Sequence, residues 1–368
     1  MRFHGIISFM RRFFVFLIVS VFLFSCSSSR GNSVAQGQSS SQEKSQSAMN
    51  LESIQKQLSS RTFCPDEIKE FMRFYPDIEY TALYDMEAGD WKIDMTADLY
   101  FDRTSKPKSK KTASFYWAGG KLLPKEELAK KDDYWVLQYT YENKLRDPKS
   151  YTQAEIAEIT DFGSADNRKS QSGTPMFFFD WLYSAQSKTV IEDHIIRSTF
   201  LGKPTRIHER IYDALKRVEA KICQEAQITA SQLASPSEIS KISLKIDKNG
   251  HLLPLNAREI REFLVSLKST DAYHWREIAQ TSRKSFHSYG IAIDLLPKKL
   301  GGKAIFWGWE KERSGDKWMM VPIEKRWIPP ATVLRIFEEE GFIWGGYWII
   351  FDNMHFEYHP ELTKPLSK

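Results

Sequence analysis

The chain has 368 residues, three cysteines and a formal net charge of +5 that is spread along the sequence rather than concentrated in one block. No motif of a nucleic-acid-binding protein accompanies this modest charge, so nucleic acid is not an expected partner. About 320 residues follow an N-terminal low-complexity stretch, which is enough for one large domain or two ordinary ones.

Residues 1–26 have the pattern of a targeting segment. Three arginines precede an apolar stretch, residues 13–24, that is too short for a comfortable membrane span. The segment ends in Leu-Phe-Ser-Cys, which resembles a bacterial lipobox, and this implies that Cys26 becomes the lipidated N-terminus of the mature protein. An ordinary secretory signal and an uncleaved anchor are the alternatives, and both would also export the protein.

Residues 27–50 are rich in Ser, Gln and Gly and lack aromatic or β-branched runs. Such a segment cannot bury enough apolar surface to offset the loss of chain entropy on folding. We therefore expect a flexible tether between the anchor and the folded part.

Two cysteines remain once Cys26 carries lipid, namely Cys64 and Cys223. An even number of cysteines in an oxidising compartment favours a disulfide, and two separate buried thiols are the alternative. Neither residue has a Cys or His neighbour at ligand spacing, so a cysteine metal site is not expected.

Residues 51–165 are expected to form an N-terminal α+β module whose role the sequence leaves open. A short helix is predicted at 65–74, with a proline near its first position. Residues 91–101 alternate between apolar and polar side chains, as in an amphipathic strand. Further strands are predicted at 113–117 and 134–141, which together would make a small antiparallel sheet.

Residues 166–368 are expected to form the second region, with its functional core at about 240–368. Residues 175–226 have a largely helical pattern. The ionisable residues at 192–194 and 208–209 lack partners at metal-ligand spacing, so they are expected on solvated helix faces. Helices are also predicted at 257–267 and at 331–340, and a glycine follows the second of them.

A short strand is expected where Ile291 and Ile293 form a buried face, with Asp294 pointing the other way. A turn before this strand would bring the imidazole of His287 back toward the carboxylate of Asp294. Together with the imidazole of His355, the set offers two nitrogens and one oxygen. This donor set suits zinc and leaves a fourth position for water.

Asp352 lies three residues before His355, close enough to reach such a water without binding the metal. A carboxylate in this place is what a metal-dependent hydrolase needs as a general base. A single histidine in a fold more often makes an ordinary hydrogen bond than binds a metal. Three candidate ligands in one recognisable sequence pattern favour a metal site.

The pattern Ser-x-His-x-x-Gly-x-Ala-x-Asp at 285–294, followed by Asp-x-x-His at 352–355, resembles the zinc D-Ala-D-Ala carboxypeptidase family. That family includes the VanX and VanY dipeptidases and carboxypeptidases and the phage and Bacillus L-alanyl-D-glutamate endopeptidases. The Trp-Gly-Gly-Tyr-Trp sequence at 344–348 and the Asp form of the second motif are similar to the endopeptidase branch. The likeness runs from about residue 273 to residue 362.

The resemblance implies that His287, Asp294 and His355 bind a zinc ion (Zn2+) and that Asp352 is the general base. It also implies a guanidinium that holds the substrate carbonyl as negative charge develops on it. Arg276 is the first candidate for this role.

Other residues near the two motifs are given roles by the same resemblance. Arg283 is the second candidate for the cation that holds the carbonyl. Ser285 matches a serine that contacts substrate or orients the site. His274 and His359 lie close to the motifs and could either support the ligands or be bystanders, and bystanders are favoured.

The family implies a zinc metallopeptidase of the D-Ala-D-Ala carboxypeptidase type, acting on peptidoglycan stem peptides of the cell wall. The bond cut would be D-Ala-D-Ala or L-Ala-D-Glu. The expected fold is α+β, a small antiparallel sheet that carries the zinc site between flanking helices. We expect a lipoprotein anchored to a bacterial membrane and facing the periplasm or cell envelope. A non-catalytic peptidoglycan-binding or surface lipoprotein that retains the zinc site is the alternative.

Overall fold

The computed structural model describes residues 64–100, 109–170, 173–235, 239, 254–279, 281 and 283–363. These residues belong to one compact unit, Ile54–Lys368. The predicted signal segment, the tether and Cys26 lie outside the described residues. Within the described part of the chain, no helix combines the length and the apolar character that crossing a membrane requires.

The fold is α+β, as the sequence predicts, with short helices around small antiparallel sheets. The described α-helices are α1 (Asp66–Met72), α2 (Gln153–Phe162), α3 (Ala165–Ser170), α4 (Phe177–Leu182), α5 (Lys188–Glu192), α6 (Tyr212–Ala226), α7 (Ala230–Leu233), α8 (Leu255–Ser266), α9 (Trp307–Ser314) and α10 (Ala331–Glu339). The helices predicted at 65–74, 257–267 and 331–340 correspond to α1, α8 and α10.

The first sheet has the strand order β1-β2-β3-β4. Its strands are β1 (Glu79–Asp85), β2 (Asp90–Asp98), β3 (Lys110–Trp117) and β4 (Leu122–Leu123), and neighbouring strands are antiparallel. Ile93, Met95 and Ala97 are all buried on one face of β2, which confirms the predicted alternation. β3 confirms the strand predicted at 113–117.

The strand predicted at 134–141 is wrong, because this segment is irregular. Its backbone hydrogen bonds go to separate parts of the chain rather than along one ladder. The N–H of Trp135 donates to the carbonyl of Gly173 at 3.0 Å, and the N–H of Leu137 donates to the carbonyl of Gly120 at 2.8 Å.

A β-hairpin, β5 (Ile195–Phe200) and β6 (Lys203–His208), interrupts the region predicted as helical. Leu201 and Gly202 connect its strands with φ angles of 48° and 72°. A two-residue turn with positive φ at both positions matches the twist of a hairpin. On either side of the hairpin, the helical prediction is confirmed by α4, α5 and α6.

The prediction that the ionisable residues at 192–194 and 208–209 lie on solvated helix faces is confirmed for Glu192 and Asp193, which are exposed at the end of α5. It is wrong for the other three, which are buried. His194, His208 and Glu209 are each 2% exposed. Nδ1 of His194 lies 2.8 Å from Oε1 of Glu209. Nε2 of His208 lies 3.1 Å from the carbonyl oxygen of Tyr183. These pairs satisfy buried polar atoms within the fold.

The second sheet has the order β7-β8-β10-β9 and is antiparallel throughout. Its strands are β7 (Leu267–Asp271), β8 (Ala292–Pro297), β9 (Phe342–Trp344) and β10 (His355–Tyr358). α10 packs against β9 and against α6. This is the predicted small sheet with flanking helices, and it carries the candidate site.

One hydrophobic cluster includes residues of both predicted regions, 51–165 and 166–368. The ring of Phe71 lies 5.5 Å from that of Phe178, between centroids. Ile293 of β8 belongs to the same cluster. The N-terminal module therefore shares its core with the strands that carry the candidate site.

The predicted disulfide is not formed. Cys64 and Cys223 are both buried free thiols, so the alternative of two separate thiols holds. Burial raises the pKa of each thiol, to about 11 at Cys223, which keeps these groups protonated and unreactive at neutral pH.

Candidate metal centre

Asp294 and His355 face each other across the two central strands of the second sheet. They are direct partners in the register of β8 and β10. Oδ1 of Asp294 lies 2.8 Å from Nδ1 of His355. The pairing explains how residues 61 positions apart come into contact, because opposite side chains on one face of an antiparallel pair are neighbours.

His287 reaches the same place from the tight 3-10 turn that precedes β8. Oγ of Ser285 accepts a hydrogen bond from the N–H of His287 at 3.3 Å, and Gly290 ends the turn with φ 66°. Nδ1 of His287 lies 2.5 Å from the carbonyl oxygen of Ala272, to which it donates. This bond leaves Nε2 as the acceptor atom, and Nε2 points toward His355 and Asp294.

The three predicted ligands come together as a triangle of donor atoms. Nε2 of His287 lies 3.2 Å from Nδ1 of His355 and 3.3 Å from Oδ2 of Asp294. A tetrahedral zinc ion with bonds of about 2.0–2.2 Å holds its ligand atoms roughly 3.3–3.5 Å apart. The cluster is therefore close to the size that one zinc ion requires, and its N,N,O donors suit that ion.

The charges around the triangle also favour a cation. Burial would raise the pKa of Asp294, but the imidazoles of His287 and His355 hold it well below its ordinary value. Burial opposes protonation of His355, yet hydrogen bonds to Asp294 and Glu357 raise the pKa of His355 well above its ordinary value. Two carboxylates thus bracket one imidazole, an arrangement that attracts positive charge.

A buried chain of acids and histidines continues away from His355, and we call it the acid–histidine chain. Nε2 of His355 bonds to Oε1 of Glu357 at 2.8 Å, and Nε2 of His359 lies 3.4 Å from Oε2 of Glu357. Nδ1 of His359 bonds to Oε1 of Glu361 at 2.8 Å, and Oη of Tyr75 donates to Oε2 of Glu361 at 2.6 Å. These five residues are between 3% and 8% exposed.

The acid–histidine chain corrects the expectation that His359 is a bystander. A carboxylate on the far nitrogen of a ligand histidine fixes the ring orientation and the tautomer. Glu357 does this for His355, and His359 lies between Glu357 and Glu361. The signal was visible as His-x-Glu-x-His-x-Glu at 355–361, since alternate residues of an extended segment share one face.

Asp352 lies just before β10, beside the triangle but outside it. Its N–H donates to the carbonyl of Gly345 at 3.0 Å, which fixes the backbone. Its Oδ1 is buried and, within the described part of the chain, has no hydrogen-bond partner. Burial raises the pKa of Asp352 to about 7. A carboxylate with one free oxygen and this pKa is suited to accept and return a proton near neutral pH.

A cavity of about 540 Å³ is lined by two members of the triangle, His287 and Asp294, and by Arg276. The backbone of Arg276 is held on both sides, because its N–H donates to Oγ of Ser288 at 2.8 Å and its carbonyl accepts from the same hydroxyl at 2.7 Å. Arg283 is not among the lining residues. Of the two predicted arginines, only Arg276 shares the cavity with the ligands.

Ser285 is 5% exposed and does not line the cavity. Its hydroxyl caps the turn that carries His287. This position suits the orienting role that was expected for it, and contact with substrate stays a prediction.

Two segments of the chain match known family models. Residues 279–358 match a model described as D-alanyl-D-alanine carboxypeptidase, and this range contains His287, Asp294, Asp352 and His355. Residues 67–138 match a model described as a domain of unknown function. No curated protein and no solved structure matches the chain. The first match supports a peptidase of the carboxypeptidase-like family.

Proposed function

We propose that this protein is a zinc-dependent peptidase that hydrolyses amide bonds in peptidoglycan stem peptides. The observation that carries the proposal is the triangle of His287, Asp294 and His355, whose donor atoms all lie within 4.8 Å of one another. Asp352 lies beside it with a free carboxylate oxygen. The match of residues 279–358 to the D-alanyl-D-alanine carboxypeptidase model supports the same chemistry.

The residues at this site can carry out the separate steps of amide hydrolysis. Bound zinc would polarise a carbonyl and make water a stronger acid. Oδ1 of Asp352 accepts the proton of the attacking water while the water oxygen bonds to the carbonyl carbon. The C–N bond then breaks, and Asp352 returns the proton to the leaving amine.

Positioning groups keep this machinery in place. Arg276, whose backbone is held by Ser288, offers a cation to the carbonyl oxygen, whose negative charge appears only as the water attacks. Glu357 holds the ring of His355, and the carbonyl of Ala272 holds the ring of His287. The ligand atoms therefore face one point before any metal arrives, which reduces the reorganisation that binding needs.

The family match supports a peptidoglycan peptide as the substrate, and we propose D-Ala-D-Ala or L-Ala-D-Glu as the bond that is cut. The lipobox-like sequence that ends at Cys26 supports export and a lipid anchor. An enzyme anchored on the outer face of a bacterial membrane lies next to the peptidoglycan polymer. The tether at 27–50 would give the domain the reach to meet it.

The test is to measure zinc content and peptidoglycan cleavage on the same preparation of the full chain. Purified muropeptides are incubated with the protein, and the products are identified by mass spectrometry. We expect near-stoichiometric zinc and cleavage, and the fragment masses name the bond. Zinc without cleavage of any stem peptide would favour the non-catalytic binding lipoprotein. A protein that binds no zinc would overturn the proposal.

A further inference from the structure

One wall of the cavity comes from outside the segment that matches the carboxypeptidase model. The β5–β6 hairpin contributes Arg197 and Arg206 to the lining, whereas the matching segment is residues 279–358. The hairpin is attached to the turn of the metal centre, because the N–H of His208 donates to the carbonyl of Gly290 at 2.9 Å. The two arginines therefore line the cavity from a part of the chain that the carboxypeptidase model does not cover.

Arg197 and Arg206 are direct partners in the register of β5 and β6. Like charges placed directly opposite each other on a sheet are destabilising. Neither guanidinium forms an ion pair with a carboxylate of the described residues. The chain thus places two solvent-exposed guanidinium groups side by side at the cavity wall, without an ion-pair partner among the described carboxylates.

The guanidinium of Arg206 is nevertheless held in place. It lies over the ring of Tyr273 at 4.9 Å from the ring centroid. The N–H of Tyr273 donates to the carbonyl of Arg206 at 2.8 Å, which ties the two backbones together. Stacking on an aromatic face leaves the edge of a guanidinium open to a planar anion.

The acidic residues of the same cavity are engaged elsewhere. Asp294 contacts His287 and His355, and Oδ2 of Asp271 accepts a hydrogen bond from Oγ of Ser269 at 2.7 Å. The cavity lining therefore combines two guanidinium groups of the hairpin with His287 and Asp294 of the triangle. A positive wall attracts and orients anionic ligands.

We propose that Arg197 and Arg206 form a subsite for a carboxylate of the peptide substrate, separate from the amide that is cut. This inference rests on the proposed peptidase function, because one cavity of about 540 Å³ is lined both by the arginines and by His287 and Asp294 of the triangle. A cavity of this size holds a short peptide. Guanidinium groups bind carboxylates through two parallel hydrogen bonds, so the subsite selects a peptide with a free carboxylate over its amide.

The test compares two synthetic stem peptides that differ at one group, a carboxylate in the first and a carboxamide in the second. Each carboxyl group of the peptide is amidated in turn, and kcat/KM is measured for the full chain. We expect the wild type to favour one free acid by about 10- to 100-fold, the range for a charge-assisted hydrogen bond. The preference should appear in KM more than in kcat.

The variants Arg197→Ala, Arg206→Ala and their combination are measured on the same peptides. In the double variant, the ratio of kcat/KM for the acid to kcat/KM for the amide should be close to one. Arg206→Lys should keep part of the preference for the acid, because lysine retains the charge but not the paired hydrogen bonds. Lys203→Ala is the matched control, because Lys203 lies on the same hairpin but does not line the cavity. It should keep the wild-type preference. An unchanged preference in the double variant would overturn the subsite.

Failure of the subsite and failure of the proposed function give different results. Calorimetric binding of the acid and the amide is measured on the same proteins, with melting temperatures as a check on folding. Selective binding of the acid that is lost in the double variant, without cleavage, would support the subsite and reject the peptidase. Cleavage of acid and amide at equal rates by the wild type would support the peptidase and reject the subsite.

Discussion

The phenolic hydroxyl of Tyr75 donates a 2.6 Å hydrogen bond to Oε2 of Glu361, although 286 positions separate the two residues. Tyr75 lies in the segment that matches a domain of unknown function, and Glu361 follows β10. Through two further residues, the acid–histidine chain connects this bond to His355. The N-terminal region therefore contacts the candidate metal centre through the acid–histidine chain.

Replacing Tyr75 by phenylalanine leaves a carboxylate oxygen of Glu361 buried without this donor. We expect the free energy of unfolding to fall by about 1–3 kcal/mol, the cost of an unsatisfied buried polar group. Urea denaturation measures it. Tyr134→Phe is the matched control, because Tyr134 also donates to a glutamate, Glu127, but at a partly exposed site. Equal losses in the two variants would contradict a special role for the buried bond.

The stability of the protein should depend on pH through His359. Burial opposes its protonation, but the charge of Glu361 and the contact with Glu357 raise the pKa of His359 to about 9. An unfolded histidine titrates near ~6.5, so the folded state holds a proton that the unfolded state has lost between these values. The stabilisation, on the order of 3 kcal/mol, is complete below about pH 6.5 and disappears as pH rises through 9.

Denaturation curves at a series of pH values measure this effect. His359→Gln should flatten the dependence between pH 6.5 and 9. His274→Gln is the control, because His274 is exposed and should leave the slope as in the wild type. If the His359 variant kept the wild-type slope, another group would be responsible.

Asp352→Asn should lower kcat on a cleaved stem peptide by about 10²- to 10⁴-fold, the usual contribution of a general base. Zinc content should stay unchanged, because Asp352 lies outside the ligand triangle. Asp316→Asn, at an exposed turn, should keep full activity. A variant at Asp352 with normal kcat would assign proton transfer to a different group.

Removing metal with a chelator should lower the melting temperature, and added zinc should restore it. Ligand that binds only the folded state stabilises it by about 2.7 kcal/mol at a hundred times its dissociation constant. Asp294→Asn should abolish the zinc-dependent shift. Asp271→Asn is the matched control, because Asp271 is the register partner of Asp294 on β7 and lines the same cavity. A zinc-dependent shift that persists in Asp294→Asn would place the metal elsewhere.

Gly290→Ala should destabilise the protein more than Gly119→Ala. Both glycines have similar φ angles, 66° and 62°, so both alanines carry a left-handed penalty of about 1–2 kcal/mol. A Cβ on Gly119 meets nothing within 4 Å, whereas one on Gly290 lies 2.8 Å from the backbone nitrogen of His208. The difference between the two unfolding free energies measures the contact of the hairpin with the metal turn. Equal losses of unfolding free energy in the two variants would show that the hairpin can move to make room for the added Cβ.

The sequence correctly predicted the helices and strands in which apolar side chains recur at regular helical or strand spacing. The alternation along β2 and the helix that ends before Gly341 are examples. The three members of the triangle could be named in advance because two short motifs constrain them. The wrong predictions concern the strand at 134–141 and the helical region that contains the β5–β6 hairpin, where long-range pairing decides the backbone.

The supporting parts of the site were harder to predict. The alternation of His355, Glu357 and His359 is visible in the sequence, but its end at Tyr75 depends on packing across most of the chain. The place of Arg206 in the cavity wall likewise depends on a hairpin that helical spacing concealed. Contacts of this kind follow from the tertiary structure rather than from local pattern.

The pairing of β8 with β10 also sets an order of events during biosynthesis. β10 is the last strand of the described chain, and His355 is its first residue. A nascent polypeptide exposes His287 and Asp294 well before the third ligand emerges, and two ligands bind zinc weakly. In the proposed function, the three ligands face one another only once β10 has paired with β8. Zinc would then stabilise a sheet that has already formed.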